Sequence, residues 1–236
     1  MPLPASGIIW LSQIRDEFRP GQGAVDLNSY YRDTGVITGN PENNGIPSRG
    51  QSIMMSQFRG AIRATAGAWD QGTPGDYEIW IPTHAWIRMR VWGAGGGGSS
   101  PYTNGNPGDQ SYIVAQLGAQ GGQGAIWNSG GAPGSGYGGN QENLTGAYPN
   151  GNYGGGSPYG NGGGDTGGGN GPWPGGGGGG AIGWGAAGGG FAHSYFGQGA
   201  GGVYQIHVGA GGAPGNYPGY SAGWGGNGRV LIEWGV

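Results

Sequence analysis

The chain has 236 residues, of which 66 are glycine and 16 are proline, while only 9% are charged and the formal net charge is −3. All nine basic residues are arginine, too few for the cationic surface that a nucleic-acid-binding protein presents. The chain has no cysteine for disulfides or thiolate metal sites and no lysine for a Walker-type phosphate loop. No run of about 18 apolar residues is present, so we expect no membrane insertion. We also expect no nucleic-acid partner, no cofactor and no metal.

The many aromatic residues argue that this glycine-rich chain is ordered. Glycine-rich chains of low hydrophobicity usually remain flexible, because they bury too little apolar surface to offset the entropy of ordering. This chain nevertheless contains 10 Trp, 13 Tyr and 4 Phe, and disordered linkers contain few aromatic residues. We expect an ordered glycine-rich structure, with a flexible linker that carries scattered aromatic residues as the alternative.

Residues 1–60 contain a repeated pattern, IWLSQIR at 9–15 and IMMSQFR at 53–59. Each copy predicts a buried apolar triplet followed by a short helix capped by its serine. A third short capped helix is expected over 26–35. No basic segment precedes the first apolar stretch, so we expect no secretory signal. We interpret residues 1–60 as an attachment module whose assembly contacts are Trp10, Leu11, Ile14, Phe18, Met54, Met55 and Phe58.

The strongest strand patterns lie on both sides of a glycine-rich tract. We read residues 61–76 as a loose connector and residues 77–236 as one distal domain. In the segment 85–92, Ile87, Met89 and Val91 alternate with arginines, the period of a half-buried strand. Further strands are expected over 77–81, 112–117, 203–208 and 229–234.

The tract over residues 93–228 holds 54 of the 66 glycines and only three charged residues. Helices are unfavourable there, because each glycine costs about 1 kcal/mol in a helix. Glycine permits extended left-handed chains of three residues per turn to pack closely and to bond through their backbones. The predicted fold is therefore mainly β and irregular: a β-scaffold holding polyglycine-II-like packed segments, with Pro-, Asn- and aromatic-rich turns as exposed loops.

The sequence contains no recognisable catalytic constellation. The motif G-x-S-x-G occurs at 219–223, but such a match is expected by chance in a glycine-rich tract, and no histidine follows it. The three histidines are far apart in sequence, and the tract has no paired acids of the kind a glycosidase uses. We expect a protein that is not an enzyme, and rank a polysaccharide-degrading activity last.

The remaining candidates for a binding site are aromatic residues in the turns. Such rings present apolar faces for stacking and polar edges for hydrogen bonding at low entropic cost. We expect about half of the aromatic residues to fill the core instead, where glycine leaves gaps. The residues flanked by Pro or Asn are the best candidates for contact with a binding partner: Tyr102, Tyr148, Tyr159, Trp173, Tyr217 and Tyr220.

Several strings together resemble a known group of proteins. RVWGAGGGG (90–98), IHVGAGGAPG (206–215) and GGNGRVLIEW (225–234) are similar to the glycine-rich C-terminal domains of bacteriophage tail and tail-fibre proteins. The opening ASGIIWLSQIRDEF, with SYYRDTG and SIMMSQFRGA, resembles the N-terminal module that precedes such domains. The paired Ser-Gln units and the glycine-rich half are also similar to the distal tail-fibre adhesins of T-even-type phages. The terminal strand departs from a pure polyglycine lattice and favours a β-sandwich.

The resemblance implies a virion protein of the phage tail, made in the host bacterial cytoplasm. Its expected partners are other tail-fibre or baseplate proteins and a host cell-surface glycan or outer-membrane protein. Fibres commonly have three-fold symmetry, so either a homotrimer or a monomer that caps a trimeric shaft is compatible with it. The alternative is a purely structural virion component, such as a capsid fibre or a baseplate part, that binds no receptor.

Overall fold

The computed structural model describes residues 3–18, 30–31, 43, 45–59, 61, 66–160, 163–165, 167–199 and 201–235. It is mainly β, as predicted, with one α-helix, α1 (Leu11–Phe18), and a 3-10 helix (Met55–Phe58). The strands are β1 (Gly67–Gln71), β2 (Gly75–Ile81), β3 (Trp86–Trp92), β4 (Ser111–Ile113), β5 (Leu117–Ala119), β6 (Gly136–Tyr137), β7 (Glu142–Leu144), β8 (Phe191–Phe196), β9 (Gly202–Val208), β10 (Asn216–Tyr217), β11 (Tyr220–Ser221) and β12 (Arg229–Gly235).

Ten of these strands form two antiparallel five-stranded sheets that share one core. The first sheet has the order β1-β12-β3-β8-β7 and the second has the order β2-β9-β4-β5-β6, while β10 and β11 form a separate hairpin. Both sheets contribute buried side chains to the core, including Met89 and Ile232 from the first and Ile113 and Ile206 from the second. The sheets therefore face each other as a sandwich.

The sequence predicted most of the strands in this core. β2, β3, β9 and β12 occupy the expected positions, and Ile87, Met89 and Val91 are buried on one face of β3 as predicted. The prediction of one strand over 112–117 was wrong. β4 and β5 form a hairpin there, because the chain turns at Ala115, which has a positive φ of 58°. The connector predicted over 61–76 contains the edge strand β1, which pairs with β12.

Eight strands continue directly into glycine-rich segments at the same end of the sandwich. Segments leave the sheets after β3, β5, β7 and β9 and return to them before β4, β6, β8 and β12. The distal end is the end of these segments that lies farthest from the sheets. The base is the end of the sheets that lies on the opposite side from the segments. The segments are 93–99, 104–110, 120–126, 130–135, 145–149, 184–190, 209–215 and 222–228, and 175–181 lies among them.

Backbone hydrogen bonds join the segments with a three-residue repeat. Successive amides of segment 93–99 donate to three different neighbours in turn, at 2.8–3.1 Å, and the same neighbour recurs at every third residue. Successive carbonyls of this segment accept from three other neighbours in the same rotation. The amides reach segments 184–190, 104–110 and 222–228, and the carbonyls serve 120–126, 209–215 and 175–181.

Segment 175–181 has a similar environment. Its amides and carbonyls also bond to six neighbouring stretches of chain, among them 93–99, 184–190 and 222–228. The backbones approach so closely that a side chain has no room: a Cβ on Gly97 would lie 2.1 Å from the carbonyl oxygen of Ala213, and one on Gly178 would lie 2.1 Å from that of Gly223. Both sites require glycine for close approach.

The chain enters the sandwich at the base. Gly67, the first residue of β1, pairs with Trp234 near the end of β12, whereas Gln71 pairs with Val230 near its beginning. β12 begins at the glycine segments, so β1 runs towards them from the base. The chain therefore enters β1 on the side of the sandwich opposite the distal end.

Eight of the described residues among the first 61 form a separate buried cluster. The rings of Phe18, Tyr30 and Phe58 lie 6.2–6.4 Å apart, centroid to centroid. The backbone amide of Leu3 donates to the carbonyl of Ala61 at 3.0 Å, which ties the two ends of this region together. The cluster consists of Leu3, Ile9, Ile14, Phe18, Tyr30, Ile46, Phe58 and Ala61.

The helices in the two copies of the seven-residue repeat are capped in the same way, but not by the serine as predicted. Gln13 Oε1 accepts from the amide of Trp10 at 2.8 Å, and Gln57 Oε1 accepts from the amide of Met54 at 2.6 Å. The glutamine therefore caps each helix, as the third residue of a capping box does, and each serine lies within its helix. The helix expected over 26–35 lies outside the described residues, apart from 30–31.

Candidate functional site

Exposed aromatic side chains are concentrated at the distal end, where short turns connect the glycine segments. Residues 100 and 103, 126 and 129, and 150 and 153 form isolated bridges that close three of these turns. The β10–β11 hairpin closes another between Tyr217 and Tyr220. The exposed large side chains at this end are Tyr102, Ile126, Trp127, Tyr148, Tyr153, Ile182, Trp184, Tyr217, Tyr220 and Trp224.

Three of these rings, from three different turns, form one cluster. Tyr102 stacks on Trp127 with a centroid distance of 5.0 Å and an interplanar angle of 24°. The edge of Tyr217 meets Tyr102 at 5.7 Å. Tyr102 lies between the other two and is 75% exposed. The cluster is therefore a surface feature held by ring–ring contacts, with apolar faces open to a ligand.

Polar contacts fix the backbone beneath the cluster. The hydroxyls of Ser100 and Thr103 are 2.5 Å apart and close the turn that carries Tyr102. Asn104 Oδ1 accepts from the amide of Trp127 at 2.9 Å and so joins two turns. The three rings are thus presented on positioned loops rather than on free termini.

Tyr102 has a backbone conformation that glycine normally supplies. Its φ is 64°, and it follows Pro101 in the turn 100–103, the residue order of a type II turn. The β10–β11 turn has glycine at the equivalent position, where Gly219 follows a proline and has a φ of 84°. A non-glycine residue in the left-handed region costs about 1 kcal/mol. Tyrosine therefore occupies position 102 at a conformational cost, which draws attention to its side chain.

Of the six aromatic residues predicted to contact a receptor, four lie in the distal half of the glycine segments. Tyr102 and Tyr217 are in contact, Tyr220 is opposite Tyr217 in the hairpin, and Tyr148 is exposed near the end of segment 145–149. Trp127 and Asn104 were not among the predicted residues, although Trp127 stands between two glycine runs in the same way as they do.

The other two predicted residues lie at the junction with the sheets. Tyr159 packs edge-on against Phe191 at 5.1 Å, and its hydroxyl donates to Glu142 Oε1 at 3.1 Å. This hydrogen bond raises the pKa of Tyr159 above its ordinary value. The indole of Trp173 donates to the carbonyl of Gly228. The structure therefore does not bring all six residues together.

The residues predicted for assembly divide into three groups by their exposure. Ile14, Phe18 and Phe58 are buried in the N-terminal cluster, so their side chains are not available as the assembly contacts predicted for them. Met55 is half-buried against the same cluster. Trp10, Leu11 and Met54 are exposed, together with Ile8.

The distal surface is nearly uncharged. Between residues 93 and 228 the charged residues are Asp109, Glu142 and Asp165. Asp109 and Glu142 lie beside the sheets, so Asp165 is the one charge that this part of the chain contributes to the distal end. Within the described residues, no group of three His, Cys, Asp or Glu could hold a metal ion. The surface is suited to stacking and neutral hydrogen bonding.

No protein family, curated protein or solved structure matches this chain. No helix in the described part of the chain is both long enough and apolar enough to cross a bilayer.

Proposed function

We propose that this chain is a bacteriophage tail-fibre protein that attaches to the tail or fibre through its N-terminal region and binds a host cell-surface receptor through its distal loops. The observation that carries the proposal is the exposed ring cluster of Tyr102, Trp127 and Tyr217 at the end of the molecule opposite the chain's entry into the sandwich. In this proposal the fibre continues from the end at which the chain enters β1.

The glycine segments form a polyglycine-II-like lattice in this proposal. The hydrogen-bond direction recurs at every third residue, and the central segments each have six neighbours, as expected for packed three-residue-per-turn chains. Such a lattice is stabilised by backbone groups, so the sequences of the distal turns are free to vary without loss of the scaffold. Binding loops on rigid scaffolds commonly have this freedom.

Exposed apolar residues support attachment through the N-terminal region. Trp10, Leu11 and Met54 remain exposed although a compact buried cluster lies beside them. Their partners would be fibre or baseplate proteins, and multiple copies on one virion would strengthen weak individual receptor contacts through avidity.

Strain-selective labelling of bacteria tests the proposal. A fluorescently labelled full chain should stain some strains in a panel and not others. Tyr102→Gly should reduce staining at least tenfold, because it removes the central ring while its backbone adopts the same turn without strain. Tyr159→Gly is the matched control, since Tyr159 also follows Ser-Pro, has φ 53° and is 69% exposed, but lies beside the sheets.

Two results of the staining experiment would contradict the proposal. If the folded full chain stains no strain, the protein is better explained as a purely structural virion component. If Tyr102→Gly and Tyr159→Gly stain as strongly as the unmodified chain, the ring cluster is not the receptor site.

A further inference from the structure

The outer face of the second sheet carries a row with one residue from each of its five strands. Asp76 on β2 pairs with His207 on β9, which pairs with Tyr112 on β4. Tyr112 pairs with Gly118 on β5, which pairs with Tyr137 on β6. With strands about 4.8 Å apart, the row is about 19 Å long.

Rings line much of this row. The imidazole of His207 stacks on Tyr112 with centroids 5.2 Å apart and planes at 20°. Asp76 Oδ1 lies 2.6 Å from His207 Nδ1 and orients the imidazole. The ring of Tyr137 crosses Gly118, where a Cβ would lie 2.4 Å from the tyrosine oxygen. Glycine at 118 therefore leaves the space that this ring occupies.

A groove runs beside the row. A cavity of about 340 Å³ is bounded by His207 and Tyr112 on one side and by Glu78, Gln205 and Val114 on the other. Further along the same face, Trp80 and Val203 are exposed and lie opposite each other on β2 and β9. The face thus combines ring surfaces with carboxylate and amide oxygens.

The outer face of the first sheet carries arginine–carboxylate ion pairs. Arg229 donates a bidentate pair of hydrogen bonds to the Asp70 carboxylate at 2.8 and 2.6 Å. Arg90 donates a hydrogen bond to the Glu233 carboxylate at 2.6 Å. On the second sheet, no described residue pairs with the Glu78 carboxylate, and no arginine lies in the groove. Acceptors for hydroxyl donors are therefore available on the second sheet, whereas an anionic ligand would meet uncompensated negative charge.

We propose that this groove binds a neutral sugar chain, at a site separate from the distal ring cluster. Sugar C–H faces would stack on Tyr112 and Tyr137, and sugar hydroxyls would donate to Glu78 and Gln205. The row, about 19 Å long, matches a short oligosaccharide in length. The unpaired carboxylate of Glu78 favours neutral sugars over acidic ones. The proposal does not depend on the function of the distal loops.

Affinity electrophoresis of the full chain tests this site. The probes are gels containing dextran, glycogen, yeast mannan or galactan as neutral polymers, with alginate as the acidic comparison. At least one neutral polymer should slow the protein, and alginate should not. Tyr137→Ala and Glu78→Gln should each weaken the retardation at least tenfold. Tyr195→Ala, which removes an exposed tyrosine from the first sheet, should leave the retardation unchanged.

Tyr102→Gly distinguishes this site from the distal cluster. It should retain the retardation, and Tyr137→Ala should retain the cell staining that Tyr102→Gly loses. Retardation by none of the neutral polymers overturns the proposal. Loss of retardation in Tyr102→Gly but not in Tyr137→Ala also overturns it and assigns the sugar to the distal end. A dimer in sedimentation that Tyr137→Ala dissociates would overturn it too, because the face would then be an interface between copies.

Discussion

A methyl group added at Gly97 would meet a backbone carbonyl, which cannot rotate away as a side chain can. The Cβ would lie 2.1 Å from the oxygen of Ala213, so two segments would have to separate. We expect Gly97→Ala to lower the free energy of unfolding by at least about 3 kcal/mol, at the upper end of the range for overpacked sites.

The matched control is Gly197→Ala, at an exposed site where an added Cβ would meet nothing within 4 Å. Its effect should stay within about 0.5 kcal/mol. Urea unfolding followed by tryptophan fluorescence measures both variants. Equal stability of the two variants would show that close backbone packing at Gly97 does not stabilise the fold.

The strands differed in how well the sequence pattern predicted them. β3 alternates large apolar residues with arginines, and β12 has Val230, Ile232 and Trp234 at alternate positions, so the inner faces of both strands were predictable. β8 was missed because its buried core positions are Ala192 and Ser194, while its aromatic residues face outwards or lie near the sheet's end. The turn at Ala115 was missed because alanine is not a turn-forming residue, and only the structure shows its positive φ.

β8 also carries a pH-sensitive group. His193 lies opposite Arg90 on β3, and its Nδ1 is 3.9 Å from Glu142 Oε2 on β7. Burial lowers the pKa of His193, and the attraction of Glu142 offsets this only in part. The folded state therefore favours the neutral imidazole, and this contribution is present above the unfolded-state pKa of about 6.5.

Stability should fall as the pH drops below about 6.5 and through the lowered pKa of the folded state, by at most about 1.4 kcal/mol per pH unit for this one group. His193→Asn should remove that component and flatten the pH dependence. Urea unfolding of both proteins at pH 7.5 and pH 5.5 measures the difference. An unchanged dependence in His193→Asn would exclude His193 as its source.

For the molecule as a whole, composition and strand patterns predicted an ordered β-scaffold with a glycine-rich tract, but not the arrangement of its segments. Contacts such as that between Gly97 and Ala213 are made by backbone atoms, which leave no pattern of side chains in the sequence. The distal site was partly predictable for a related reason. Tyr102 and Tyr217 stand out beside prolines in the sequence, whereas their contact with each other depends on which segments are neighbours.

Amide hydrogen exchange of the full chain measures whether the glycine segments form a rigid scaffold through their mutual hydrogen bonds. The amides of segments 93–99 and 175–181 donate to neighbouring segments and are buried. We predict that they exchange as slowly as those of β3 and β12 in the core of the sandwich. Exchange at the rate of an unstructured peptide, with β3 and β12 still protected, would show instead that the tract is a flexible linker.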